Sequence, residues 1–203
     1  MMAPAMAVRF TVTDGPNSQV DVGETVTVGT LESTRDALRP SISGHRRLIS
    51  SLKLLGDEAA LDIRCGDGKV TAELSSLVPK GRGVGLDSSQ EMVDFAMMSF
   101  PSSEHPNLSF RFGDAKDTDF SEEFDLAVSF ACFHWVEDHR TVLKGIRKSL
   151  KPFGRKLIQC GGKGNAADIM SAASDLVHQD WWTGYFQGFN APYLILAKIG
   201  PSS

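Results

Sequence analysis

Apolar positions in this chain fall into two alternating kinds of run. Short, nearly unbroken stretches at Ala59–Ile63, Gly83–Leu86, Leu108–Phe112 and Phe124–Phe130 read as buried strands. Between and around them, apolar residues recur at helical spacing. Leu48, Ile49, Leu52 and Leu55 form one such set, ended by Gly56, and Lys69–Leu77 forms a second. A third helix runs from Ser88, read as its N-cap, through Met92 and Phe95 to Met98. Thr141–Leu150 is helical. Lys151-Pro152-Phe153-Gly154 then turns the chain into a further strand, Arg155–Cys160. Asn165 is placed to cap a last helix through Ile169, Ala173 and Leu176. Strands that alternate with helices predict an α/β fold, with a mostly parallel sheet covered on both faces.

Residues 1–40 do not follow this rhythm. Val8, Phe10 and Val12 alternate, as do Val20 with Val22 and Val26 with Val28, around a turn at Asp14-Gly15-Pro16-Asn17. The stretch reads as an irregular or hairpin-like leader before one domain over residues 41–203. A length of 203 residues suits one sizeable core. A net charge of -4 gives no basic field for nucleic acid or an anionic membrane. No apolar run reaches the roughly 18 residues of a membrane span. Met1–Val8 lacks the basic start of a signal peptide. Cys65, Cys132 and Cys160 are odd in number and widely spaced, which predicts reduced thiols in a cytoplasmic protein.

The chemistry-bearing residues gather where strands end. Asp62-Ile63-Arg64-Cys65-Gly66-Asp67-Gly68 is a strand end, an acidic residue and a glycine turn ahead of a helix. Asp87, Asp114 and Ser129–His134 also follow strands. Open parallel sheets bind ligands beyond the carboxyl ends of their strands. Asp87, about 20 residues after the turn, has the position of a carboxylate that accepts hydrogen bonds from a ribose diol; a charge stabilising a helix N-terminus is the other reading. The turn lacks the third glycine of G-x-G-x-x-G, and Gly68-Lys69 lacks the first glycine of a triphosphate loop because Ile63 holds that place. The pattern points to a ligand with a ribose and no pyrophosphate.

The segment from Glu58 to Pro152 resembles the class I S-adenosylmethionine-dependent methyltransferases. Asp62–Gly68 is similar to the family's acidic residue followed by G-x-G-x-G, with Arg64 in place of the first glycine. Asp87 matches its ribose-binding acid, and Gly113-Asp114-Ala115 the segment that reads the adenine. Phe124–Ser129 is similar to its fourth strand. Leu150-Lys151-Pro152-Phe153-Gly154 resembles its L-K-P-G-G turn, with Phe153 for a glycine. Phe133-His134-Trp135-Val136 and Asp87–Met92 are similar to the trans-aconitate and malonyl-carrier-protein carboxyl methyltransferase group. The resemblance implies a Rossmann-like doubly wound sheet, S-adenosylmethionine as cofactor and a small-molecule acceptor, plausibly a carboxylic acid. It implies cofactor contacts from Asp62, Arg64, Gly66, Gly68, Asp87, Ser88, Met92, Asp114, Ala115 and Ser129. Met92 and Ala115 would enclose the adenine, and His134 would act as base or positioner at the acceptor.

Methyl transfer from a sulfonium needs orientation and exclusion of water more than further activation. Trp181, Trp182, Tyr185 and Phe186 are placed to cover an apolar substrate or to form a packing edge. Two departures open the alternative of a catalytically degenerate or shortened relative. The family's last two strands have at most Leu194–Ile199 to match them, which predicts an incomplete sheet with Arg155–Cys160 at an open edge. Arg64 fits the glycine position without strain only at negative φ. A nicotinamide-dependent oxidoreductase is the remaining alternative. Arg64→Gly is expected to raise cofactor affinity in a calorimetric titration; unchanged affinity contradicts the assignment of Arg64 to the binding turn.

Overall fold

A computed structural model describes residues 24–29, 45, 48–50, 52–130, 133, 136, 138–161 and 167–187. Six strands and five helices are present among them. They are β1 (Glu24–Gly29), β2 (Ala59–Ile63), α1 (Lys69–Leu77), β3 (Arg82–Asp87), α2 (Gln90–Ser99), β4 (Leu108–Phe112), β5 (Phe124–Phe130), α3 (His139–Ser149), β6 (Leu150–Gly161), α4 (Ala167–Val177) and α5 (Asp180–Thr183). A short 3₁₀ turn, Ala115–Asp117, follows β4. The sheet order is β1-β6-β5-β2-β3-β4, and every pairing is parallel. The doubly wound Rossmann-like sheet is therefore present. From β2 the chain winds outward through β3 and β4, then returns to β5 on the other flank. Strand order reverses between β2 and β5, which puts a crevice beyond Ile63 and Phe130.

Burial on both faces explains the unbroken apolar runs. Leu61, Ile63, Phe124, Ala127 and Ile158 pack on one side with Val142 and Ile146 of α3. Ala60, Leu126, Val128 and Leu157 pack on the other with Ile49 and with Leu74 of α1. Cys65, Val93, Ala96, Leu108 and Phe110 form a third group under α2. Asp138 starts α3 by accepting hydrogen bonds from the Thr141 amide (3.0 Å) and hydroxyl (2.6 Å), while Arg147 and Lys148 face the dipole at its other end.

Several boundaries differ from those expected. The cap of α2 is Ser89, whose hydroxyl accepts from the Met92 amide at 3.2 Å; Ser88 lies outside the helix, exposed. Leu55 is 87% exposed rather than part of an apolar helix face, since the chain has left the helix by Leu52 and Leu55 leads into the Gly56 turn. β6 begins at Leu150, five residues early, because a bulge shifts its register against β5 between Phe124 and Leu126 and carries Pro152–Gly154 within the strand. The expected open edge at Arg155–Cys160 is covered. β1 runs parallel along it, with Val26 opposite Ile158 and Val28 opposite Cys160, because that alternating stretch supplies β-branched residues suited to a strand. The turn at Asp14–Asn17, the Asn165 cap and the Leu194–Ile199 strand lie outside the described residues. Among those residues no helix is long and apolar enough to cross a membrane.

Gly145 of α3 packs where a Cβ would meet the Ala115 carbonyl oxygen, so it sets how closely α3 approaches the 3₁₀ turn. Gly145→Ala is expected to destabilise the fold by about 1–3 kcal/mol in urea unfolding through overpacking; an unchanged midpoint contradicts this contact.

Candidate cofactor site at the carboxyl edge of the sheet

The turn after β2 is built on three left-handed residues, Arg64 (φ 58°), Gly66 (φ 54°) and Gly68 (φ 80°). It is pinned from several sides. The Leu86 carbonyl of β3 accepts from the amides of Arg64 (2.7 Å) and Cys65 (3.1 Å). The Ser129 hydroxyl of β5 donates to the Ile63 carbonyl at 3.0 Å. Arg64 thus does not escape to negative φ. The hydrogen bonds at its amide hold it in the conformation that glycine adopts freely, at a cost of about 1–2 kcal/mol for a residue with a Cβ. Phe153, the other residue at a glycine place, does the same in the β6 bulge with φ 65°, and its ring is 91% exposed.

The two glycines differ in what they permit. A Cβ on Gly66 would meet no atom within 4 Å, so this face of the turn is open to a ligand. A Cβ on Gly68 would strike the Phe110 ring at 2.7 Å and Ala96 at 2.9 Å. Gly68 therefore lets α1 pack against β4 and α2, and it is buried.

Asp87, 6% exposed at the end of β3, joins the turn to α2. Its Oδ2 accepts from the Gly66 amide at 2.8 Å and its Oδ1 from the Ser89 amide at 3.0 Å. A carboxylate has about four acceptor positions, so capacity for a diol remains after these two bonds. Asp62 lies beneath the turn at 2% exposure. Its Oδ2 accepts from the Thr71 hydroxyl of α1 at 2.7 Å, and the described residues give Oδ1 no hydrogen-bond partner. Burial pushes the Asp62 carboxyl up to about 7; the Thr71 hydrogen bond opposes this, and the charges of Asp87 and Asp67 add to it.

The other expected residues are divided between surface and core. Met92 (45% exposed) and Asp114 stand at the rim, with the Asp114 Oδ1 accepting from the Lys116 amide at 2.9 Å. Ala115 is 5% exposed and packs in the core with Leu86 and Phe120, so its methyl group faces protein. Ser129 is fully buried and serves the Ile63 carbonyl. Arg64, Gly66, Asp87, Met92 and Asp114 thus remain along the edge, with Ser88 exposed beside them. His134 and Trp135 lie outside the described residues. Trp182 packs edge-on against Tyr185 (6.1 Å) and Phe186 (6.3 Å), and Trp181 is 71% exposed. Thr71, Phe110 and His139 also shape the site. His139 stacks on Phe133 (5.7 Å) and its Nε2 bonds the Phe133 carbonyl at 2.7 Å, bracing the segment after β5. A histidine at a helix start carries little signal in sequence, and neither does a threonine in the first turn of α1.

A parallel sheet with flanking helices, a glycine turn after β2 and a carboxylate at the end of β3 has the fold of the class I S-adenosylmethionine-dependent methyltransferases. Residues 60–154, close to half of the chain, match the methyltransferase domain family. It is 32% identical over 167 residues to juvenile hormone acid O-methyltransferase of Bombyx mori, a match covering 78% of this chain and 57% of that one. It is 35% identical over 99 residues to trans-aconitate 2-methyltransferase of Deinococcus radiodurans, covering 49% and 36%. The TehB-like methyltransferase structure from Corynebacterium glutamicum superposes with a TM-score of 0.50 at 27% identity, covering 69% of this chain and 75% of that one. The chain spans about half the length of the curated relatives it matches. S-Adenosylmethionine is the cofactor of this class. The open face at Gly66, the remaining capacity of Asp87 and the unbonded Asp62 oxygen fit it.

A carboxyl raised towards 7 stabilises the fold below its unfolded value near 4, and that contribution is lost as pH rises through 7. Asp62→Asn is therefore expected to gain stability over the wild type as pH rises from 4 to 7, at a slope approaching about 1.4 kcal/mol per pH unit. Urea unfolding at pH 5 and pH 8 checks this; parallel stability curves contradict it.

Proposed function

We propose that this protein transfers a methyl group from S-adenosylmethionine to a small carboxylic acid. The observation that carries the reading is Asp87. It is nearly buried, held by the Gly66 and Ser89 amides, and has acceptor capacity left for a ribose diol. In this reading the Gly66 face takes the methionyl part, Met92 and Asp114 border the adenine, and Asp62 and Arg64 supply charge beneath and beside the turn. Gly68, Ala115 and Ser129 support the site by packing, and Ser88 leads into α2. The carboxylic-acid acceptor is supported by relatives named for juvenile hormone acid and trans-aconitate. A carboxylate is already ionised at neutral pH, so the transfer needs no general base, and His134 would position the acceptor. The aromatic group at Trp181–Phe186 would shield the reaction from water. The buried thiol of Cys160, pushed up to about 11 by burial, fits a reducing, cytoplasmic setting.

One observation favours a second reading. Arg64 keeps a strained backbone and brings a long side chain to a turn built for glycine, a departure that would suit a catalytically degenerate protein. Calorimetry with S-adenosylmethionine, with NAD as control, followed by mass-spectrometric detection of methyl esters from a panel of small carboxylic acids, separates the two. Binding of S-adenosylmethionine alone with ester formation supports the enzyme, and Asp87→Asn is expected to weaken that binding about tenfold. Binding without ester from any acid favours the inactive relative, and binding of NAD alone overturns both.

A further inference from the structure

Away from the cofactor edge the surface carries two features of opposite charge. One is the arm formed by α4, α5 and the residues after them. From residue 171 to 187 every position is exposed except Val177 and Phe186, which are half-buried. Large apolar groups therefore stand in solvent: Leu176 is 53% exposed, Trp181 71%, Trp182 45% and Tyr185 83%. α4 packs on α5, and Trp182 meets Tyr185 and Phe186 edge-on, so the arm ends in a preformed aromatic group. Residues 167–187 contain Asp168, Asp175 and Asp180 and no lysine or arginine. The other feature is the outer face of α3. Arg140, Lys144 and Arg147 recur at i, i+4 and i+7, which puts three exposed cations on one stripe. α3 itself carries no carboxylate; Asp138 before it caps the Thr141 amide, and Lys148 donates to the Thr118 carbonyl at 3.0 Å. Elsewhere opposite charges meet, at Lys69–Asp67, Arg82–Glu123, Arg111–Asp119 and Lys151–Asp125. Among the described residues, neither the three stripe cations nor Asp175 and Asp180 have an ion-pair partner.

We propose that a second copy of this chain covers both features: in a two-fold pair, the α4–α5 arm of each copy lies along the α3 stripe of the other. Charge complementarity selects this occupant. An acidic arm repels another arm and a basic stripe another stripe, whereas arm on stripe is attractive at both contacts of the pair. The exposed rings add to this, because Arg and Lys heads are drawn to the faces of Trp and Tyr while their stems cover apolar surface. The area is sufficient. At about 150–250 Å² for an aromatic side chain, Trp181, Trp182 and Tyr185 leave up to about 400 Å² open on each arm. Two arms and two stripes of similar area bury roughly 1,600 Å², the standard size of a specific interface. Reciprocal docking also closes the pair and leaves no arm unmatched. The pairing goes beyond the methyl-transfer reading and touches it at one point. α3 opens at the carboxyl edge of the sheet, where His139 braces the segment after β5. An arm laid along α3 thus lies beside the neighbour's acceptor side, and its shielding of the reaction acts between copies.

Sedimentation velocity from about 1 to 100 μM reads the pairing without any ligand, so its outcome is separate from that of the methyl-transfer reading. The wild type is expected to form a dimer that loosens as salt is raised. Asp175→Lys with Asp180→Lys, and separately Lys144→Glu with Arg147→Glu, are each expected to weaken it about a hundredfold, since each sets like charges against one another. Trp181→Ala, which keeps the charge, is expected to weaken it about tenfold. The deciding sample is an equimolar mixture of the two charge-reversed proteins. Every arm in a mixed pair again faces a stripe of opposite charge, so a heterodimer close to wild-type affinity is expected, and its recovery shows that both variants are folded. A wild type that stays monomeric over the whole range overturns the proposal. A dimer unchanged by either reversal or by Trp181→Ala does the same. So does a mixture that fails to recover, because contacts made within one copy are not restored by mixing.

Discussion

The site depends on one carboxylate tie. Asp87 accepts the Gly66 amide with one oxygen and the Ser89 amide with the other, and so fixes the turn after β2 to the start of α2. Both amides sit beyond the ends of the sheet and helix ladders, in the turn after β2 and at the cap of α2, so each needs an acceptor from elsewhere. Hydrogen bonds to a charged acceptor are about twice as strong as neutral ones. An edge built this way is preorganised, because its polar groups are held by the fold itself.

Beneath the tie, the fold tolerates departures from glycine by holding the backbone rather than changing it. Arg64 and Phe153 both stand at family glycine places, and both keep left-handed backbone. At Arg64 the Leu86 carbonyl and the Ser129 hydroxyl fix the chain on either side. At Phe153 the bulge between β5 and β6 requires the bend, and the ring turns out to solvent. The strain of about 1–2 kcal/mol at each position is carried by contacts elsewhere in the sheet. This separates two questions that a motif mismatch runs together. The shape of the turn survives the loss of its first glycine, while the side chain placed there changes its charge and access.

Much of the fold was legible because buried parallel strands write themselves as apolar runs. Ala59–Ile63, Leu108–Phe112 and Phe124–Phe130 coincide with β2, β4 and β5, and Lys69–Leu77 with α1. The bulge in β6 was not legible, since Pro152 and Gly154 read as a turn until the partner strand is known. The place of β1 depends on a pairing with β6 across more than a hundred residues, which no local pattern encodes. At the site, Asp87 was recognisable from its position after a short strand. Ala115, Ser129 and Gly68 stand at or just beyond strand ends, but their burial depends on Gly145, Ile63 and Phe110, residues distant in sequence. Of the tandem serines at 88 and 89, only the geometry distinguishes the cap.

If the Asp87 tie is the cofactor edge, backbone amide NMR during a titration with S-adenosylmethionine reads it at Gly66 and Ser89. The largest shifts are expected on the amides of Gly66 and Ser89, with smaller ones at Met92 and Asp114. Saturable binding that leaves Gly66 and Ser89 unmoved while shifting residues at the opposite edge of the sheet, such as Ala59 and Arg82, would contradict it.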